Sequence, residues 1–339
     1  MSTFTQVSNS FLVYPNFGGL INKFRNPSMD IWQRGTSAIT VTTAGAYTAD
    51  GWIVTPTGAS CTAAASISNI RTGSLSYYSM LITGATSVTD ITLKQRIESY
   101  IAAQLESQVI TVQAQVYNNT GGSITPTLTV KHPTAQDNYT STSTDVSAVS
   151  LQACANAVWT QISYTFTAST SVNGMEITID FGNNFSTNGK SVQVTELDIR
   201  ATPGVSVGLN STPPTPEVRP VQSEMSFSQR YYFRHTSTNL FTSYGKGITN
   251  GTAGNINSFC TVLPVTMRAA PTVTTSNLII YDGTASNATI NGFAASYNTI
   301  NMISFDATTT GGSGYTSARP ASVIGSNSGT SYLDASAEL

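Results

Sequence analysis

The side chains from which this sequence could build chemistry are few. Its 339 residues hold 17 acids, 15 bases and two histidines. Four acids, Glu176, Asp180, Glu196 and Asp198, lie on strand-like segments. Two carboxylates at a suitable separation are enough for glycoside hydrolysis. Glu176 and Asp180 are evenly spaced and so share a strand face. Two acids on one solvent face ordinarily serve solvation, and they are read so here. His132 and His235 fall in different segments, and no Ser-His-Asp or Cys-His spacing surrounds either. HExxH, paired CxxC, P-loop and strand-linked GxGxxG patterns are absent from the sequence. No catalytic residue is assigned, and the chain is expected not to be an enzyme.

The remaining chemistry is recognition. Sugars stack apolar ring faces on aromatic side chains while polar groups fix their orientation. Trp32, Trp52 and Trp159 sit inside strand-like patterns and are read as core. Tyr281, Tyr297 and Tyr315 neighbour Gly, Asn and Thr loops and are the candidate receptor-binding residues. Asp30 and Asp198, near the first and last strands of the first domain, are candidate calcium ligands, because Ca²⁺ is held by carboxylates and carbonyls. No other cofactor is implied. Cys61, Cys154 and Cys260 are far apart and odd in number, so free thiols are expected in place of a disulfide framework.

These residues need elements to hold them. Charged residues make up 9% of the chain, against roughly 25% in an average globular protein. A helical protein would need more Lys, Glu and Arg on its outer faces, whereas Thr-rich alternation suits half-exposed strands. ITLKQRIESY places Ile91, Leu93, Gln95 and Ile97 on one face. VITVQAQVYN places Ile110, Val112, Ala114 and Val116 on one face and ends at the turn signal NNTGG. Many short strands at near-regular spacing argue for a sandwich or jelly roll. SYIAAQLESQ could hold a helical turn. Past Arg200, ATPGVSVGLNSTPPTPEVRP reads as an extended linker. VQSEMSFSQRYYFRH then reads as a helix, with Val221, Met225, Tyr232 and Phe233 on one face. The expected organisation is an arm over 1–25, a jelly-roll β-sandwich over 26–200, a linker with a short helix over 201–239, and a second, smaller β-sandwich domain over 240–339. Net charge is −2, without the basic face of a nucleic-acid protein or the polybasic handle of a membrane-surface protein. No apolar run approaches the ~20 residues of a membrane helix. The opening residues lack the n- and h-regions of a secretory signal.

Several stretches together resemble a family. RNPSMDIWQRGTS, YTADGWIV, ITLKQRIESY and the junction VTELDIRATPG…PEVRPVQSEMSFSQRYYFR are similar, in that order, to bacteriophage tail-fibre and head-fibre proteins with a carbohydrate-binding-module-like jelly roll. SYLDASAEL resembles their terminal strand. Departures are Asp-Gly-Trp for Asp-Arg-Trp, Ser228 for a cysteine before Gln-Arg-Tyr-Tyr, and Glu-Leu-Asp for Gln-Leu-Glu. They bear on a shared ligand site and leave the fold untouched. The resemblance implies a virion location and a fibre or spike that adsorbs to host-surface glycan. It also implies a homotrimer and docking onto other virion proteins through the arm. A capsid decoration or fibre stem without a receptor is the alternative, and a polysaccharide depolymerase the more distant one. It further implies that Trp32 and Trp52 anchor the jelly-roll core, with Asp30, Arg34 and Asp50 capping or pairing at its edge.

Overall fold

The computed structural model describes residues 21–250, 257–283, 288–310, 317–326 and 329–339. Of the expected arm, residues 1–20 lie outside them. The chain divides into two units, Met1–Val221 with Leu339, and Gln222–Glu338. Strands are numbered along the chain.

The first unit pairs two antiparallel sheets in a jelly-roll sandwich. One has seven strands, ordered β1 (Ile39–Val41), β4 (Cys61–Ser66), β5 (Ser79–Thr83), β12 (Ser191–Ala201), β7 (Val109–Asn119), β10 (Trp159–Thr167) and β13 (Gly208–Leu209). The other has six, ordered β2 (Ala46–Tyr47), β3 (Ile53–Thr57), β6 (Asp90–Ile97), β11 (Met175–Asp180), β8 (Thr127–Ala135) and β9 (Asn138–Ser150). Side chains alternate across a strand, and β6 alternates between half-exposed and buried along its whole length. Its buried residues meet Met175, Ile177 and Ile179 of β11 and Leu128 and Val130 of β8. Across the core lie Ile110, Val112, Ala114 and Val116 of β7 and Val192, Val194, Leu197 and Ile199 of β12. Each such side chain contributes about 1.5–3 kcal/mol when fully buried. The segment SYIAAQLESQ does hold a helical turn, α1 (Ser99–Ala102), continued by a 3₁₀ turn over Ala103–Leu105.

The expected linker and helix region contains β13, the helix α2 (Val221–Gln229) and β14 (Tyr232–Ser237). The helix is shorter than its sequence suggested. Tyr232 and Phe233 belong to β14, Val221 is exposed, and the buried helix residues are Glu224 and Ser228. The YYF run is the reason: three successive aromatics suit a strand better than one helix face. In the second, smaller β unit, β14 pairs with β22 (Ser331–Ser336), and β22 with β17 (Thr272–Ser276). Six further strands close on one another as a barrel: β15 (Ser243–Asn250), β16 (Asn257–Val262), β20 (Met302–Thr310), β19 (Ala288–Ser296), β18 (Leu278–Tyr281) and β21 (Ser317–Gly325). Tyr244, Phe259, Ile280, Ile303, Phe305 and Val323 from the barrel share one core with Val273, Leu333 and Ala335.

Candidate functional site

The NPSMDIWQRGTS stretch with its Ala-Asp-Gly-Trp partner is architecture. Asn26 sits at φ +48 and is fully buried. Its amide donates to the carbonyls of Ile31 (2.9 Å) and Asp50 (3.2 Å) and accepts from the Ile31 N–H (2.9 Å). The Trp52 indole donates to the Asn26 carbonyl (2.9 Å), and the Trp32 indole to that of Met29 (2.6 Å). Trp52 packs its ring on Phe24 with centroids 5.1 Å apart. Both tryptophans are core. Gly51 lies at φ +81, and Arg25 packs against it. Of the three polar residues expected at the edge, Asp30 does cap, accepting from the Tyr77 and Tyr78 N–H groups (3.0 and 2.8 Å). Arg34 lies over the Tyr47 ring. Asp50 departs from the expectation: it is inside, 1% exposed, accepting from the Gln33 backbone and side chain. Burial pushes its pKa up to about 6, against the pull of Gln33 and Arg34.

A face with binding chemistry lies on the outside of the seven-stranded sheet. Since Ile110, Val112, Ala114 and Val116 enter the core, alternation turns Thr111, Gln113, Gln115 and Tyr117 outward. The register adds neighbours from both sides. Gln193, Tyr117 and Trp159 form one row, Thr195, Gln115 and Gln161 the next, and Asp198, Gln113 and Ser163 a third. Outward residues of a flat sheet stand in water, yet here Gln113, Gln193 and Gln115 are only 2%, 3% and 9% exposed. Two segments flank the face and account for this. The strap between β4 and β5 reaches it through Asn69, whose carbonyl accepts from the Trp159 indole (2.7 Å). The chain after β12 lies along the other side, where Gln113 donates to the Pro214 carbonyl (2.6 Å) and Ser163 to that of Asn210.

The amides of this floor are unequally committed. Gln113 uses both ends, since its carbonyl accepts from Gln161 (2.8 Å). Gln193 accepts from the Ser79 hydroxyl (2.8 Å), and its N–H groups have no partner among the described residues. The Gln115 side chain has no partner among them at either end, and its amide still touches solvent. Neither uncommitted amide end is wholly cut off from water, so each keeps hydrogen-bonding capacity to offer a ligand. Each amide presents a donor pair and an acceptor, which matches hydroxyls that both give and take a hydrogen bond. Tyr117 and Trp159 stand beside them, ring centroids 5.6 Å apart.

Charge at the borders is neutralised. A bulge in β12 between Thr195 and Asp198 holds Glu196 at φ +52 and 2% exposed. Its carboxylate accepts from Arg71 (2.6 Å), the Ser74 hydroxyl and the Leu75 N–H (both 2.8 Å), fastening the strap. Asp198 accepts from both arms of Arg200 and from the Glu217 N–H (2.8 Å). The face is therefore polar, aromatic and uncharged in balance, suited to an uncharged, hydroxyl-rich ligand.

The residues singled out in the sequence are placed as follows. Tyr281 and Tyr297 are 43% and 63% exposed, in the second unit. They lie at opposite ends of β19, which the register places about 25–30 Å apart along the strand, so they do not form one platform. Tyr315 lies outside the described residues. Asp30 and Asp198 serve separate hydrogen-bond networks, and among the described residues no group of three or more His, Cys, Asp or Glu could hold a metal. Glu176 is ion-paired with Arg96 (2.8 Å) and Lys94 (3.7 Å). Asp180 stands beside Asp90, whose pKa is pushed up to about 6 by burial and by that neighbour. A Ser, a His and an Asp do meet: Asp145 accepts from Ser169 (2.5 Å) and contacts His132 Nδ1 (2.9 Å). The acid stands between the other two, the wrong order for the imidazole to take the hydroxyl proton. The glutamine floor had one signal in the sequence: the polar half of VITVQAQVYN carries Gln, Gln and Tyr where a solvated strand would carry Thr or Lys.

No protein-family model matches the chain, and no curated protein matches its sequence. Among solved structures it is similar to the enzymatically active domain of tailspike protein 4 of bacteriophage CBA120 (TM-score 0.37, 10% identity, 54% of this chain). The chain spans 22% of that tailspike chain. It is also similar to the CBM22-1 xylan-binding domain of Paenibacillus barcinonensis Xyn10C (TM-score 0.33, 12% identity, 48% of this chain and 92% of that one). A CBM4 domain is similar at TM-score 0.30 and 13% identity, over 52% of this chain and 98% of that one. At these values the likenesses carry no argument about function.

Proposed function

We propose that this chain is a non-enzymatic bacteriophage virion appendage that adsorbs to host-surface glycan through the outer face of its seven-stranded sheet. The observation that carries the glycan reading is Gln115, a nearly buried amide without a partner among the described residues, set between Gln161 and Thr195 and one row from the Tyr117–Trp159 pair. The virion role rests on the order of the sequence motifs. The absence of catalysis is argued from the carboxylates of this face, since Glu196 and Asp198 are each tied to an arginine and a backbone N–H. An acid so fastened is poorly placed to protonate a leaving group.

The test is saturation binding of the full chain to intact host cells and extracted polysaccharide. Gln115→Ala should weaken binding roughly threefold to tenfold, the worth of one neutral hydrogen bond. Trp159→Ala should weaken it at least as much, and Tyr281→Ala and Tyr297→Ala should leave it unchanged. If wild type binds and all four variants bind equally, the face is not the site. If wild type binds nothing, the protein is a decoration or stem. Polysaccharide cleavage by wild type, lost in Glu196→Gln or Asp198→Asn, would overturn the non-enzymatic reading.

A further inference from the structure

We propose that residues 216–220, Pro-Glu-Val-Arg-Pro, are a mechanical clamp. They tie the point where the chain enters the sandwich to the point where it leaves, so that tension along the chain bypasses the strands between. A proline at each end fixes its own φ and favours extended backbone. In an extended segment alternate side chains share a side. Glu217 and Arg219 are accordingly half-buried, and Val218 between them is exposed.

Both charged side chains reach the entering chain. The Glu217 carboxylate accepts from the Asn22 N–H (2.6 Å). Arg219 donates to the Asn22 carbonyl (3.1 Å) and to that of Phe24. Asn22 and Phe24 are each 1% exposed, and hydrogen bonds with a charged partner are roughly twice as strong as neutral ones. The end of β12 gives both segments their direction. On one side the Lys23 N–H donates to the Ile199 carbonyl (2.9 Å), and the Leu197 N–H to that of Pro27 (3.0 Å). On the other, Arg200 donates to the Thr215 carbonyl (3.1 Å), and the Glu217 N–H to Asp198 (2.8 Å). As residue numbers rise along each segment, those of its β12 partners fall. Both segments therefore run antiparallel to β12 and parallel to each other.

That direction sets the mechanical consequence. The chain before Asn22 departs from the start of one segment, and the chain after Arg219 from the end of the other. A pull between them slides two parallel segments past one another. It loads the three bonds of Glu217 and Arg219 together, in place of peeling them one at a time. The strands from β1 to β12 take little tension until those bonds yield. A clamp of this kind acts whether or not the sheet face binds glycan.

The experiment is extension of the full chain at constant force between two cysteine handles. Cys61 and Cys154 are buried and Cys260 is exposed, so the background is Cys260→Ser. Handles at Gly19→Cys and Val221→Cys pull across the clamp. Handles at Gly122→Cys and Asn188→Cys, in exposed loops of the sandwich, do not. Lifetime under force reports an unfolding rate. Arg219→Ala should shorten the lifetime across the clamp at least about tenfold, the worth of one hydrogen bond to a charged group. Along the other direction the same variant should leave the lifetime unchanged. Glu217→Gln keeps an acceptor for Asn22 and is the milder variant should Arg219→Ala fail to fold. It should shorten the lifetime across the clamp about threefold, for the lost charge. Val218→Ala, on the outer side, should change neither lifetime. A lifetime across the clamp that is equal in wild type and the variants overturns the proposal. So does equal shortening along both directions, which would make Glu217 and Arg219 ordinary supports of the fold.

Discussion

Gln95 points into the sandwich core, 0% exposed, on the apolar face of β6. It is tolerated because both ends of its amide bond the backbone of Arg25, whose N–H and C=O each lie 2.9 Å away. Gln95→Leu would suit the surrounding side chains yet remove both of these buried hydrogen bonds. The expected loss is about 2–5 kcal/mol, read as a lower midpoint in urea unfolding. Asp50 makes the complementary case. Its folded pKa of about 6 lies above the ~3.9 of an exposed aspartate, so the folded state holds the proton more tightly. Its stabilising contribution is present in full below about pH 4 and is lost as pH rises through about 6, by at most about 3 kcal/mol. Asp50→Asn should remove that share of the slope. Unfolding measured at pH 4.5 and pH 7 for both proteins checks it, and an identical slope would refute it.

At the scale of elements, one residue in an unusual conformation holds a whole segment. Glu196 adopts a left-handed backbone only because the β12 bulge demands it, and the bulge aims its carboxylate at the strap over residues 67–78. The strap carries Ile67, Ile70, Leu75 and Tyr77 in exposed positions, so little apolar burial secures it. Glu196→Ala should therefore free the strap while leaving the sandwich intact. Trypsin should then cut after Arg71 in the folded variant and spare the wild type, and equal resistance would show that the strap is held otherwise. Strands were legible in the sequence wherever one face is apolar, as in β6 and β7, because alternation reports the core directly. The bulge was not legible, since a two-for-one register depends on the partner strand. Neither was the burial of Asp50, which alternation alone leaves at an edge. The glutamine floor went unseen for a related reason: outward polar residues look solvated until the strap and the post-β12 chain are known to flank them. The tyrosines drew attention by their loop neighbours, a cue to exposure that carries no information about convergence.

For the whole molecule the governing fact is how little charge it carries, −2 in net with 9% charged residues. Long-range steering of an ionic ligand needs a one-signed field, and a net charge of −2 supplies little of one. The same holds locally, because Arg71 and Arg200 beside the candidate face are each matched by a carboxylate. The proposed adsorption would then rest on hydrogen bonds and ring stacking, whose strength salt scarcely alters, whereas exposed charge pairs are screened over about 10 Å at 0.1 M salt. Such contacts are individually weak, so attachment of the proposed kind would gain from several copies engaging one surface at once. Binding of the full chain to host polysaccharide should therefore change by less than about twofold between roughly 0.05 and 0.5 M NaCl, a range over which attraction between exposed charges would fade. Dissociation constants measured across that range decide the point. A steep loss with salt would mean that the ligand is anionic and that a basic surface other than the glutamine face receives it.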